Sequence, residues 1–254
     1  MTNTKFRRRA LLSSVAMLLV ALVALGSATF AWFTSSTSAS ANGIMISTTK
    51  SSELKIAKKD LVWADSVTYD GFASNYVPTS SVTGTTWYTS VANAKDAYTS
   101  NGTYATAESL SGVVYDEMLN IKNVGGKAAN NVTITLGGSI PSNFGRIAIV
   151  KCGTAQTTAN TPAAITDATF KSSIYANSDD SWKPYNGSGV EGTAWTASTY
   201  TGTISVGTLA VNEVASYRIL VWFEGEDSDC YDLTTSSLNI GTGASKIGFT
   251  VSAS

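Results

Sequence analysis

The chain has 254 residues, 43% of them hydrophobic and only 14% charged, with a formal net charge of −1. It contains no histidine, which excludes a Ser-His-Asp or Cys-His nucleophile system, a His-Glu-x-x-His zinc protease and any His-ligated metal. Lys5, Arg7, Arg8 and Arg9 crowd into the first nine positions, leaving 13 of the 17 basic residues against 18 acidic ones in the rest of the chain. So mildly acidic a body gives no electrostatic footprint for nucleic acid.

The chain opens with a basic segment, Thr2 to Arg9, and an apolar one, Ala10 to Leu25, interrupted only by Ser13 and Ser14. A small-residue patch, Gly26 to Ala31, then precedes Trp32-Phe33. Basic, apolar and small-residue segments in that order predict a secretory signal with a helical apolar part, in contact with the membrane only during export. Retention as an anchor is the alternative, because the apolar stretch up to Phe33 could nearly span a bilayer. Ala39-Ser40-Ala41 offers a second small-x-small cut, farther from the apolar segment.

The run Gly26-Ser27-Ala28-Thr29-Phe30-Ala31-Trp32-Phe33-Thr34 resembles the signal end of the TasA/camelysin family, secreted proteins of Gram-positive bacteria processed by a dedicated signal peptidase of the SipW type. The resemblance implies cleavage after Ala31, with Thr29 at −3, Ala31 at −1 and Trp32 as the new amino terminus. Residues 1–31 are then a signal peptide and 32–254 one domain. Asn42-Gly43-Ile44-Met45-Ile46-Ser47 resembles the first mature strand of such proteins. Met118 to Gly126 followed by Asn131 to Leu136 looks like their strand, Asn-x-Gly turn, strand hairpin. Tyr217 to Cys230 resembles a strand and acidic loop of family members.

Along the exported body, Ser90 to Tyr98 reads as two helical turns closed by Asn101-Gly102. Asn131 to Leu136 alternates cleanly, with Val132, Ile134 and Leu136 on one face, as a half-buried strand does. Ile147 to Val150 and Tyr217 to Phe223 are apolar on both faces, as inside a sandwich. The stretch Thr154 to Thr203 reads as long polar loops with at most short strands. Lys246 to Val251 is the last strand. Many short strands joined by polar turns predict an all-β fold, a jelly-roll-like antiparallel β-sandwich with long polar loops.

Three groups of side chains invite chemistry. Glu224, Glu226, Asp227, Asp229 and Asp232 crowd around Gly225, the raw material of a calcium loop, although Glu226 and Asp227 are adjacent and the twelve-residue spacing is absent. A solvated acidic turn is the preferred reading, as it is for Asp179-Asp180, and no cofactor is required. Cys152 and Cys230 are the only cysteines; in an exported protein they form either a disulfide or two separate thiols. Trp63, Tyr69, Trp87, Tyr88, Trp182, Tyr185, Trp195 and Tyr200 lie in turn-rich stretches and either cap the sandwich or contact glycans. Asn101, Asn131 and Asn186 begin glycosylation-like triplets to which no role is assigned.

The family resemblance implies a non-enzymatic subunit of extracellular fibres or biofilm matrix, self-associating by β-augmentation. The donor strand would be Trp32 to Ser47, with Trp32, Phe33, Ile44 and Ile46 as its apolar residues. A monomeric cell-surface adhesin or glycan-binding module is the alternative. A camelysin-like metalloprotease is disfavoured, because zinc would have to use carboxylates and two cysteines.

Overall fold

β-branched and aromatic residues, which fit a pleated half-buried surface, gather into sixteen strands among the described residues. A computed structural model describes residues 17, 44–48, 54–69, 76–90, 104–138, 140, 143–177, 181–227, 230 and 247–253. The chain divides into two compact units, Met1–Ser40 and Ala41–Ser254, and the strands all belong to the second. Apart from Met17 the export signal lies outside the described residues, with Thr29, Ala31, Trp32 and Phe33. Of the helix expected over Ser90 to Tyr98 only Ser90 is described, and it ends the strand Tyr88–Ser90 instead.

Two large sheets form the body. The strands β1 (Ile44–Thr48), β3 (Ser66–Tyr69), β8 (Ala129–Gly138), β14 (Thr203–Leu209) and β16 (Ile247–Ser252) make a sheet of order β14-β8-β16-β1-β3. The second has the order β13-β10-β9-β15-β7-β2, from β2 (Leu54–Ala57), β7 (Tyr115–Asn123), β9 (Gly145–Lys151), β10 (Ile174–Ala176), β13 (Ser198–Thr199) and β15 (Val214–Phe223). The described residues also form short strands: β4 (Thr79–Ser80), β5 (Tyr88–Ser90) and β6 (Tyr104–Thr106) in one small sheet, β11 (Ser181–Trp182) and β12 (Trp195–Thr196) in another. A short helix, α1 (Asp167–Lys171), is capped by Thr166, whose side chain accepts from the Thr169 amide.

The fold is all-β, as the composition predicts. Val132, Ile134 and Leu136 of β8 face Ile147 and Ile149 of β9 and Tyr217, Ile219, Val221 and Phe223 of β15 across one continuous apolar core. Pairing is not antiparallel throughout, however. β1 runs parallel to β16, and β10 parallel to β13. Strands joined by a tight turn must be antiparallel, whereas the long intervening chain between β1 and β16 permits either sense.

The expected hairpin from Met118 to Leu136 is also corrected. β7 and β8 lie in different sheets, so the turn between them carries the chain across the sandwich. Asn123 sets that crossing. Its Oδ1 accepts from the Gly125 amide at 2.9 Å, while its Nδ2 donates to the carbonyls of Lys127 and Leu209 at 2.7 and 2.9 Å. A side-chain-closed turn of this kind needs no ladder between its flanking strands.

The six-stranded sheet is buried on both faces. Ala148 and Val150 of β9 and Leu220 and Trp222 of β15 point away from the first sheet into a second core with Trp87, Phe170, Trp182 and Trp195. Thr154 to Thr203 is thus not only loop: it contributes α1 and several short strands to a covering layer rich in aromatic rings.

Candidate functional site

Two places combine residue types expected to act. The first is β1. Its Met45 pairs with Gly248 and its Ser47 with Thr250 of β16 on one side; Ile44 pairs with Tyr69 and Ser47 with Ser66 of β3 on the other. Ile44 and Ile46, expected in a donor strand, are therefore in a strand hydrogen-bonded on both sides within its own chain. Tyr69 anchors the neighbouring β3 to the opposite sheet, donating its hydroxyl to the Met118 carbonyl at 2.7 Å. Tyr200 likewise ties β16 down, its hydroxyl donating to the Gly248 carbonyl at 3.2 Å.

The outer edges of the sheets are blunted. β3 has four residues and β13 two. β14 carries register shifts on both sides of Gly207, whose φ of 100° is the left-handed region that glycine adopts without a Cβ clash. At β2 the amide and carbonyl of Ile56 both pair with Ala64 at 2.9 Å. Short, bulged or covered edges resist addition of a further strand.

The second place is the acidic turn after β15. The expectation of a solvated turn is overturned for two of its members: Glu224 is fully buried and Asp227 only 3% exposed, while Glu226 is half-buried. The Trp222 indole donates to Glu224 Oε2 at 3.1 Å, and the Glu226 amide to Oε1 at 3.2 Å. Ser80 of β4 bonds the same carboxyl, and its Oγ also accepts the Tyr185 amide at 2.9 Å. Arg146, at the start of β9, is fully buried too. It pairs with Asp227, donates to the carbonyls of Asn143 and Gly145 at 2.8 and 3.0 Å, and stacks over the Trp182 ring at 4.5 Å.

Burial pushes the Glu224 carboxyl up to about 7, against its hydrogen bonds and the pull of Arg146. Burial also raises Glu226, opposed by a hydrogen bond from Tyr104. Among the described residues no three His, Cys, Asp or Glu side chains gather as a metal site. Glu224 and Asp227 are committed to protein donors instead, and Asp229 and Asp232 lie outside the described residues. Arg146 and Ser80, the partners that make this turn a buried cluster, were not singled out from sequence. Their signal is an arginine inside the apolar run Gly145-Arg146-Ile147-Ala148-Ile149-Val150, which a buried strand tolerates only with an acidic partner.

Cys152 and Cys230 are both buried and are not joined to each other. Cys152 packs with Met118 and Ala163, whereas Cys230 belongs to the core between the sheets, so the disulfide alternative is not realised. Burial drives the Cys152 thiol up to about 11, far from the thiolate that a reactive cysteine needs. Of the aromatic residues, Tyr69, Trp87, Trp182, Trp195 and Tyr200 are buried. Tyr88 and Tyr185 remain half-exposed with Tyr104, the Tyr104 and Tyr185 rings stacked at 4.4 Å.

Comparison with known proteins found no family model that matches the chain, and no curated protein or solved structure similar to it. No described helix is long and apolar enough to cross a membrane.

Proposed function

We propose that the chain is a secreted structural protein, a TasA-like subunit of extracellular fibres or biofilm matrix, that assembles when one copy's amino-terminal strand takes the β1 position of the next. The observation that carries this reading is the place of β1, paired on both sides yet separated from β2 by only the five residues 49–53. A strand withdrawn from such a position leaves two open ladders. The same strand from another copy satisfies both with unchanged register, which is the logic of domain swapping and strand donation. The blunted outer edges favour this exchange over simple stacking of one sheet on the next.

Export supplies the second support. The basic, apolar and small-residue order of residues 2–31 fits a secretory signal, and its removal after Ala31 would free Trp32 to Ser47 for donation. A complementation experiment tests the donation step. A chain beginning at Thr49, co-refolded with a synthetic peptide spanning Ala41 to Lys50, should bind it at one to one and melt at higher temperature than without it. A folded truncated chain that ignores the peptide would contradict the proposal.

The half-exposed rings of Tyr88, Tyr104 and Tyr185 favour, as a second reading, an adhesin that contacts glycans. Polysaccharide binding by a chain that stays monomeric would select it.

A further inference from the structure

The loop between β11 and β12 ends in a tight tip. Tyr185 and Val190 form an antiparallel bridge, and Asn186-Gly187-Ser188-Gly189 folds back between them, the Asn186 amide donating to the Gly189 carbonyl at 2.9 Å. Asn186, Gly187 and Ser188 are exposed. The Asn186 side chain is nevertheless held at both of its polar atoms. Its Oδ1 accepts from the amides of Ser188 and Gly189 at 2.9 and 3.1 Å, and its Nδ2 donates to Glu191 Oε1 at 3.0 Å. The Gly187 amide takes part in none of these bonds.

Position 187 tolerates no side chain. Its φ is 97°, and a Cβ there would run into the Tyr88 hydroxyl. The fold thus places, directly after an exposed asparagine, the residue type whose backbone nitrogen is least shielded. We propose that Asn186 is a site of spontaneous covalent modification, its side-chain amide converted through a cyclic imide to aspartate and isoaspartate by attack of the Gly187 nitrogen.

The Gly187 nitrogen, on losing its proton to solvent base, bonds to the Asn186 Cγ, and negative charge develops on Oδ1. The Ser188 and Gly189 amides already point at that atom, as donors that stabilise an oxyanion must. The bond from Cγ to Nδ2 then breaks. Ammonia departs with the proton that Gly187 gave up, relayed by water, and leaves a five-membered imide. Water opens this ring at Cγ to give aspartate, or at the backbone carbonyl to give isoaspartate. Either product sets a carboxylate against Glu191 in place of the amide that donated to it. Isoaspartate also lengthens the main chain inside a turn that supports Tyr185, the ring stacked on Tyr104 at 4.4 Å.

Timed incubation of the folded full chain in neutral buffer, followed by peptide mapping with mass spectrometry, tests this. The segment Lys183 to Gly192, which holds no other asparagine or glutamine, should acquire the mass of an acid and split into two products of equal mass. It should do so at least as fast as a synthetic peptide of the same ten residues, and faster in alkaline than in mildly acidic buffer. A folded chain that keeps Asn186 intact while the peptide converts would overturn the proposal, because the turn would then protect the amide. Asn186→Gln keeps an amide but would have to close a larger ring, and its segment should stay unchanged over the same period. Equal conversion in N186Q would also overturn the proposal, since the five-membered imide would then not be the route.

Discussion

Arg146 shows how one side chain reorganises a segment that composition alone describes as polar. Its guanidinium, stripped of water, is compensated by Asp227, two backbone carbonyls and the Trp182 ring. Removing one partner of such a pair leaves a buried charge without compensation, which costs about 3–5 kcal/mol. Asp227→Ala is therefore expected to destabilise the protein by that amount in urea unfolding. A second buried polar knot holds the other end of β15. The Asn120 amide donates to the Lys58 carbonyl at 3.1 Å and to the Gln156 side chain at 2.8 Å, and its oxygen accepts from Ser216. Neither group was legible as a cluster in the sequence. Arg146 and Asp227 are 81 positions apart and Asn120 and Ser216 96. An acidic run with no cation nearby in sequence reads as solvated, because the residue that permits its burial is contributed by a distant strand.

At the scale of elements, the strands with strong local patterns were the legible ones. The alternation of β8 and the two-faced apolarity of β9 and β15 reappear as buried strands at the expected positions. What covers the second apolar face was legible only in part: capping of the sandwich was one of the two roles read for Trp87, Trp182 and Trp195, whereas Phe170 and the other short segments of that cover have no period of their own. The supposed hairpin failed for a related reason. A turn closed by the Asn123 side chain looks the same in sequence whether the next strand pairs with the last or crosses to the other sheet. Edge protection is a property of elements as well. Ala64→Pro removes the amide that the Ile56 carbonyl accepts and uncovers the edge of β2. We expect a loss of about 1–3 kcal/mol, read as a lower urea midpoint, together with a greater tendency to associate during refolding.

For the whole molecule, the sandwich body and the amino-terminal strand stand in different relations to the rest of the chain. The body is tied together through two apolar cores that share the six-stranded sheet. β1 belongs to that body by its ladders to β16 and β3, yet it is the first strand of Ala41–Ser254 and follows directly on the segment that export would set free. A strand in that position can complete its own sheet or that of a neighbour with the same hydrogen bonds. Under the proposed donation the choice would rest on concentration. Electron microscopy of the purified chain beginning at Trp32, beside the same chain lacking Trp32 to Thr48, tests this most directly. Strand donation predicts filaments from the first and none from the second. Filaments from the chain without the strand, or a chain beginning at Trp32 that remains monomeric at high concentration, would contradict it.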